Sequence, residues 1–110
     1  MQRALLVMKM SPADAPEVAD IFGDHDRTGL PEEIGAVSRT LFSYHGLYFH
    51  FVEAPDDIGG DLMDRIFDSR SHPHFADTSR RLKPLLSPYA PNWQTLYDSK
   101  ASEFYRWETK

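Results

Sequence analysis

Apolar and polar residues alternate on both sides of a His45-Gly46 pair in the stretch RTLFSYHGLYFHFVEA. Alternation flanking a two-residue turn predicts a β-hairpin with strands at 35–43 and 47–54. Glycine suits the positive φ of such a turn, and histidine tolerates it better than most residues. Upstream, QRALLVMK at 2–9 is apolar on both parities, with Leu5 and Val7 on one and Leu6 and Met8 on the other. That pattern predicts a central strand covered on both faces. Asp14, Pro16 and Glu17 resemble a capping box with a first-turn proline, so a helix is expected from Ala15. Its apolar stripe is Ala15, Val18, Ala19 and Phe22. Gly29 and Pro31 in RTGLP end it.

After the hairpin, PDD at 55–57 is expected to start a second helix with Ile58, Leu62, Ile66 and Phe67 inward. SHPHF breaks it at Pro73 and restarts a third helical piece carrying Phe75, Leu82, Leu85 and Leu86. Pro84 and Pro88 bound a loop, and the alternating run EFYRWET predicts the fourth strand. The order β-α-β-β-α-(α)-β has one compact solution: an α+β, ferredoxin-like βαββαβ fold. It is a four-stranded antiparallel sheet with helices on one face, a single domain over 1–110. The other sheet face is left bare, which on a chain of 110 residues is a liability or an interface.

Hairpin parity decides where the ionisable residues point. With His45-Gly46 as the loop, Tyr44 pairs with Leu47, Leu41 with His50 and Arg39 with Val52. Arg39, Leu41 and Ser43 then share a face with Tyr48, His50 and Val52, while Thr40, Phe42, Phe49 and Phe51 face the other way. Arg39 and His50 are diagonal neighbours, roughly 7–8 Å apart at Cα. The stripe of the first helix, continued past Phe22, reaches His25 and Asp26. These lie at the end of a helix over the sheet, so Arg39, His50 and Asp26 are expected around a pocket on the helix-covered face. Phe22, Tyr48, Ser43 and Trp93 are the expected substrate contacts.

The net charge of −5 argues against nucleic acid and anionic membranes as partners, because both need a basic surface. The absence of cysteine removes disulfides, zinc-thiolate sites, iron–sulfur clusters and thiol nucleophiles. No apolar run approaches the roughly 20 residues that span a bilayer, and the N-terminal run reads as a strand rather than a signal peptide. A cytoplasmic protein without metal or cofactor is expected. His72 and His74 flank a proline with no carboxylate at ligand spacing, so SHP reads as a helix break and cap rather than a metal site. No serine has a nucleophile-elbow context, and IGGD at 58–61 is too short for a phosphate loop.

The segments RALLVMKM, DHDRTGLPEEIG, SRTLFSYHGLYFHFVEA, RSHPHF and LSPYAPNWQTLYDSKASEFYRW resemble, in order and spacing, the tetracenomycin-type aromatic polyketide cyclases of bacterial type II polyketide pathways. The resemblance covers nearly the whole chain. It implies a homodimer related to the dimeric α+β barrels, with possible contact to other synthase components. It also implies an intramolecular aldol-type ring closure, with dehydration, on a poly-β-ketone or partly cyclised intermediate, without cofactor or metal. The family's functional positions fall on His25, Asp26, Arg39 and His50. His74 and the additional acid Asp24 depart from the pattern and could alter the electrostatics of the pocket.

Ring closure needs a base, an enolate stabiliser and a route for water loss. His50 is the expected base, since an imidazole titrates near neutral pH. Arg39 is the expected oxyanion stabiliser, Asp26 would orient His50 or keep it basic, and His25 is a second acid for dehydration. Two other readings use the same scaffold. One is a cofactor-free monooxygenase that oxidises an aromatic polyketide to a quinone. The other is a non-catalytic subunit that shapes the polyketide for another enzyme.

Overall fold

A computed structural model describes residues 1–109. It contains strands β1 (Gln2–Met10), β2 (Ser38–Tyr44), β3 (Leu47–Ala54) and β4 (Leu86–Pro88). Its helices are α1 (Ala15–Asp26), α2 (Leu30–Ile34), α3 (Leu62–Asp68) and α4 (Pro73–Leu82). The sheet is antiparallel in the order β2-β3-β1-β4, the ferredoxin-like arrangement expected from the element order. The hairpin register is the one the turn dictates: Tyr44 opposite Leu47, Leu41 opposite His50 and Arg39 opposite Val52. His45 and Gly46 both have positive φ, 47° and 80°, the primed turn that matches the twist of the two strands.

One face of the sheet lies under the helices. Ala4, Leu6 and Met10 of β1 and Tyr48, His50, Val52 and Ala54 of β3 are buried there. The core has two halves. Leu30, Ile34, Leu62, Met63 and Ile66 pack on Ala4, Leu6, Val52 and Ala54, while Val18 and Phe22 pack on Met10 and Tyr48. On the opposite face Leu5, Val7, Phe49 and Phe51 are only half-buried and Phe42 is exposed. The double coverage expected of β1 is therefore not realised within the chain.

Several boundaries differ from the sequence pattern. EFYRWET is not a strand: it lies outside any regular element, with Phe104 98% exposed. The fourth strand is instead Leu86–Pro88, paired with Met8–Met10. Pro88 is tolerated because β4 is an edge strand, where its missing N–H costs no ladder bond. The C-terminal segment meets the backbone of β1 at Lys100, opposite Leu6, and at the Ala101 N–H, which donates to the Leu5 carbonyl, and Glu108 pairs with Arg3 of the same strand. The second helix starts at Leu62 rather than at 55–57. Gly59 and Gly60 hold positive φ, and the Asp61 carboxylate caps the helix by accepting from the Asp64 N–H. Asp14 makes no such cap: a 3₁₀ turn over Pro12–Asp14 leads into α1 and leaves Asp14 helical. The stripe of α1 is rotated from that expected, burying Val18, Ile21, Phe22 and His25 and exposing Ala19. Leu30–Ile34 forms a short helix where only a break was expected. Pro31 occupies its first turn, where a proline loses no bond.

Gly35 ends α2 with φ 106°, and a Cβ there would meet Ile58 Cγ2 at 2.8 Å. Both the backbone conformation and the space demand glycine. Gly35→Ala is expected to destabilise the fold by about 1–3 kcal/mol or more, read as a lowered urea midpoint with an unchanged slope.

Candidate active site

A cavity of about 130 Å³ lies on the seam between the two core halves. Leu6, Ile34, Val52 and Ile66 form one wall, and Phe22, Tyr48, Leu82 and Leu86 the other. The lining is mostly apolar, with the polar groups of His25, Arg39, Tyr48, His50 and Thr78 converging on it. An apolar hollow with few polar groups is the usual form of a small-molecule site.

Arg39 reaches this cavity from edge strand β2. Its Nε donates to Asp26 Oδ1 at 2.9 Å, and its Nη1 donates to His50 Nε2 at 2.5 Å. Its Cζ sits 4.8 Å from the centre of the Phe22 ring. Phe22 also meets both imidazoles edge-on, with centroids 6.3 Å from His25 and 5.0 Å from His50. The Arg39 side chain is 14% exposed against 43% for Asp26, so the carboxylate stands at the rim. Asp26 does not line the cavity and does not touch His50; it acts on the imidazole only through the guanidinium. The reason is helical: consecutive residues point about 100° apart, so when His25 turns inward Asp26 cannot. Asp24 points away from the cavity and pairs with Arg27 and Arg81, which hold its carboxyl below the usual range.

The partners of the two histidines define their protonation. A guanidinium only donates, so His50 Nε2 accepts from Arg39 and the proton of the neutral ring is on Nδ1. His25 Nδ1 lies 2.9 Å from Thr78 Oγ1, which also lies 3.0 Å from the His74 carbonyl. One hydroxyl proton serves one acceptor. Both contacts are hydrogen bonds only if Thr78 donates to the carbonyl and accepts from His25 Nδ1–H. Among the described residues the other nitrogens, His25 Nε2 and His50 Nδ1, have no protein partner, and no buried side-chain polar atom there lacks one. Both nitrogens are therefore open to the cavity they line, as is the hydroxyl of Tyr48. His25 presents a lone pair and His50 presents an N–H, whereas the sequence suggested that His50 would supply the lone pair.

Burial is the largest cause lowering the pKa of both rings, followed by the nearby charge of Arg39. Asp26 partly opposes this at His25, and His74 and His72 add to it. His25 ends a helix, where the dipole favours a cation, but desolvation outweighs that preference. Burial also raises the pKa of Tyr48, so its phenol stays protonated as a donor.

Of the expected substrate contacts, Phe22 and Tyr48 line the cavity. Ser43 shares their strand parity but is exposed near the turn, beyond the reach of the helices. Trp93 does not line the cavity but an adjoining hollow that shares Phe75, Ser79 and Leu96 with it, and its Nε1 donates to Ser99 Oγ. His72 caps α4, its Nδ1 accepting from the His74 N–H, as SHP suggested. Thr78 was missed. It occupies an apolar-stripe position, three residues after Phe75 and four before Leu82, and a hydroxyl at such a position is the signal that marks it.

A model of the polyketide synthesis cyclase family covers residues 2–108, and the chain belongs to that family. It is 50% identical over 105 residues to tetracenomycin F2 cyclase of Streptomyces glaucescens, covering 96% of this chain and 93% of that one. The polyketide synthase CurG of Streptomyces cyaneus is 35% identical over 109 residues, 98% of each chain. The solved structure of the Streptomyces glaucescens cyclase, a type II polyketide cyclase, superposes with a TM-score of 0.91 at 47% identity over 100% of both chains. A putative antibiotic biosynthesis monooxygenase from Caulobacter crescentus shares the fold alone, with a TM-score of 0.53 at 17% identity over 79% of each chain.

Each ring's folded pKa lies below the ordinary 6.5. The unfolded chain therefore binds more protons as the medium turns acid. The stability these two rings contribute is fully present above about pH 6.5 and is lost as pH falls from there through each folded value. Urea unfolding at about pH 7.5 and about pH 5.5 is expected to show that loss, and His50→Gln to show a smaller one. Equal losses in both proteins would remove His50 as a source.

Proposed function

We propose that this cyclase closes a ring in an aromatic poly-β-ketone or partly cyclised intermediate by intramolecular aldol addition followed by loss of water, using its own side chains and no cofactor. The observation that carries this reading is the Arg39–His50 contact inside an apolar, helix-covered cavity. A poly-β-ketone presents carbonyl oxygens and acidic CH₂ groups. A cationic donor in a dry site stabilises the enolate and then the alkoxide far better than water does. Nη2 of Arg39 has no protein partner among the described residues and is free to serve these oxygens. The two neutral imidazoles and the Tyr48 phenol supply a base and donors. Apolar walls hold the flexible chain so that the intended carbons meet, and such positioning can contribute roughly 7–11 kcal/mol.

Two copies would pair through the second sheet face, where Leu5, Val7, Phe49 and Phe51 stay half-exposed around an exposed Phe42. This matches the homodimer implied by the family resemblance. A cytoplasmic location and substrate supply from other synthase components follow from the same reading.

Arg39→Met is expected to lower kcat about 10²–10³-fold and to shift the remaining product toward the mixture formed spontaneously. Product profiling checks this, and an unchanged rate and mixture would remove Arg39 from the chemistry. Oxygen uptake during turnover is expected to be nil; stoichiometric uptake would favour the monooxygenase reading, and binding without turnover the shaping subunit. Sedimentation equilibrium is expected to find a dimer that Phe42→Lys weakens.

A further inference from the structure

We propose that Thr78 sets the tautomer of His25 and thereby makes His25, rather than His50, the base of the ring closure. The inference rests on the cyclase reading for the reaction, but its geometry stands by itself. Thr78 lies on α4, 8% exposed and across the cavity from the hairpin. A helical threonine commonly bonds its hydroxyl to the carbonyl four residues earlier, and Thr78 does so with His74 at 3.0 Å. That commits its only proton. Its oxygen lone pair is left facing His25 Nδ1 at 2.9 Å and can only accept. The chain of donors runs from His25 Nδ1–H to Thr78 Oγ1–H to the His74 carbonyl, and it leaves His25 Nε2 as a lone pair on the cavity. Arg39 imposes the opposite tautomer on His50, whose N–H faces the same cavity. One imidazole is thus held ready to accept a proton and the other ready to donate a hydrogen bond.

The aldol step balances on these groups. His25 Nε2 takes a proton from a CH₂ between two carbonyls, and the C–H pair passes to the enolate oxygen beside Arg39. The enolate carbon forms the new C–C bond, and the π pair of the attacked carbonyl moves to its oxygen. The His50 N–H stabilises that alkoxide without surrendering its proton, as a neutral imidazole does when it acts as an electrophile. The imidazolium of His25 returns the proton to the alkoxide. Water is then lost as the hydroxyl and a second α-proton, the latter also within the competence of His25. Thr78 touches no reacting atom and is a positioning residue.

The test combines imidazole ¹⁵N spectroscopy with kinetics on the full chain. Wild-type His25 is expected to carry its proton on Nδ1. Thr78→Val keeps the shape but removes the acceptor. It is expected to move the His25 proton toward Nε2 and to lower kcat about 10–10²-fold with KM within about twofold, part of the contribution of a general base. Thr78→Ser keeps the hydroxyl and is expected to retain both the wild-type spectrum and kcat. A wild-type His25 protonated on Nε2 would overturn the proposal before any variant is made. So would a Thr78→Val protein with unchanged tautomer, or one whose tautomer shifts while kcat does not. The nitrogen spectrum needs no substrate. A wild-type enzyme that closes no ring would therefore sink the cyclase reading and the role of base, while the tautomer is judged separately.

Discussion

A guanidinium held at the edge of an apolar seam is the constraint on which the site depends. A cation taken from water must be paired, or its desolvation is not offset. Arg39 meets that demand from three directions: a carboxylate at the rim, an imidazole inside and an aromatic face beneath. These partners come from two different elements, α1 and β3. Asp26 and Phe22 require the end of α1 to lie over the sheet, and His50 requires the hairpin register to be correct. A slip of one residue between β2 and β3 would turn one strand over relative to the other and leave the arginine facing solvent or the histidine unpaired.

The same arginine sets the character of the cavity. It fills the His50 lone pair and, with burial, keeps both imidazoles neutral. The tautomers then differ because their partners differ, a donor-only guanidinium on one ring and a committed hydroxyl on the other. A cavity with apolar walls, a cationic donor, an accepting nitrogen and donating N–H and O–H groups suits a reaction whose substrate is already prone to condense. The protein's task is then to choose which carbons meet.

Strand alternation carried much of this in the sequence. A turn of two residues that both take positive φ admits one register, so the shared face of Arg39, Tyr48, His50 and Val52 follows from local chemistry. The apolar stripe of α1 leads to His25 for similar reasons. The pattern misled where alternation had no packing behind it. EFYRWET reads as a strand but lies outside the sheet, while the three-residue β4 is too short to show a period at all. Ser43 shows that parity tells which face a side chain takes, not whether a helix reaches far enough to cover it.

The sequence by itself determined the hairpin, its register and the side of the sheet on which the ionisable residues gather, because these follow from backbone periodicity and turn geometry within a few residues. Only the tertiary structure decided which nitrogen each imidazole offers, that Asp26 meets Arg39 and not His50, and that Thr78, 53 residues from His25, belongs to the site. Those outcomes turn on hydrogen bonds between elements remote in the chain, where an ångström or two separates a partner from a bystander and no period in the sequence records the distance.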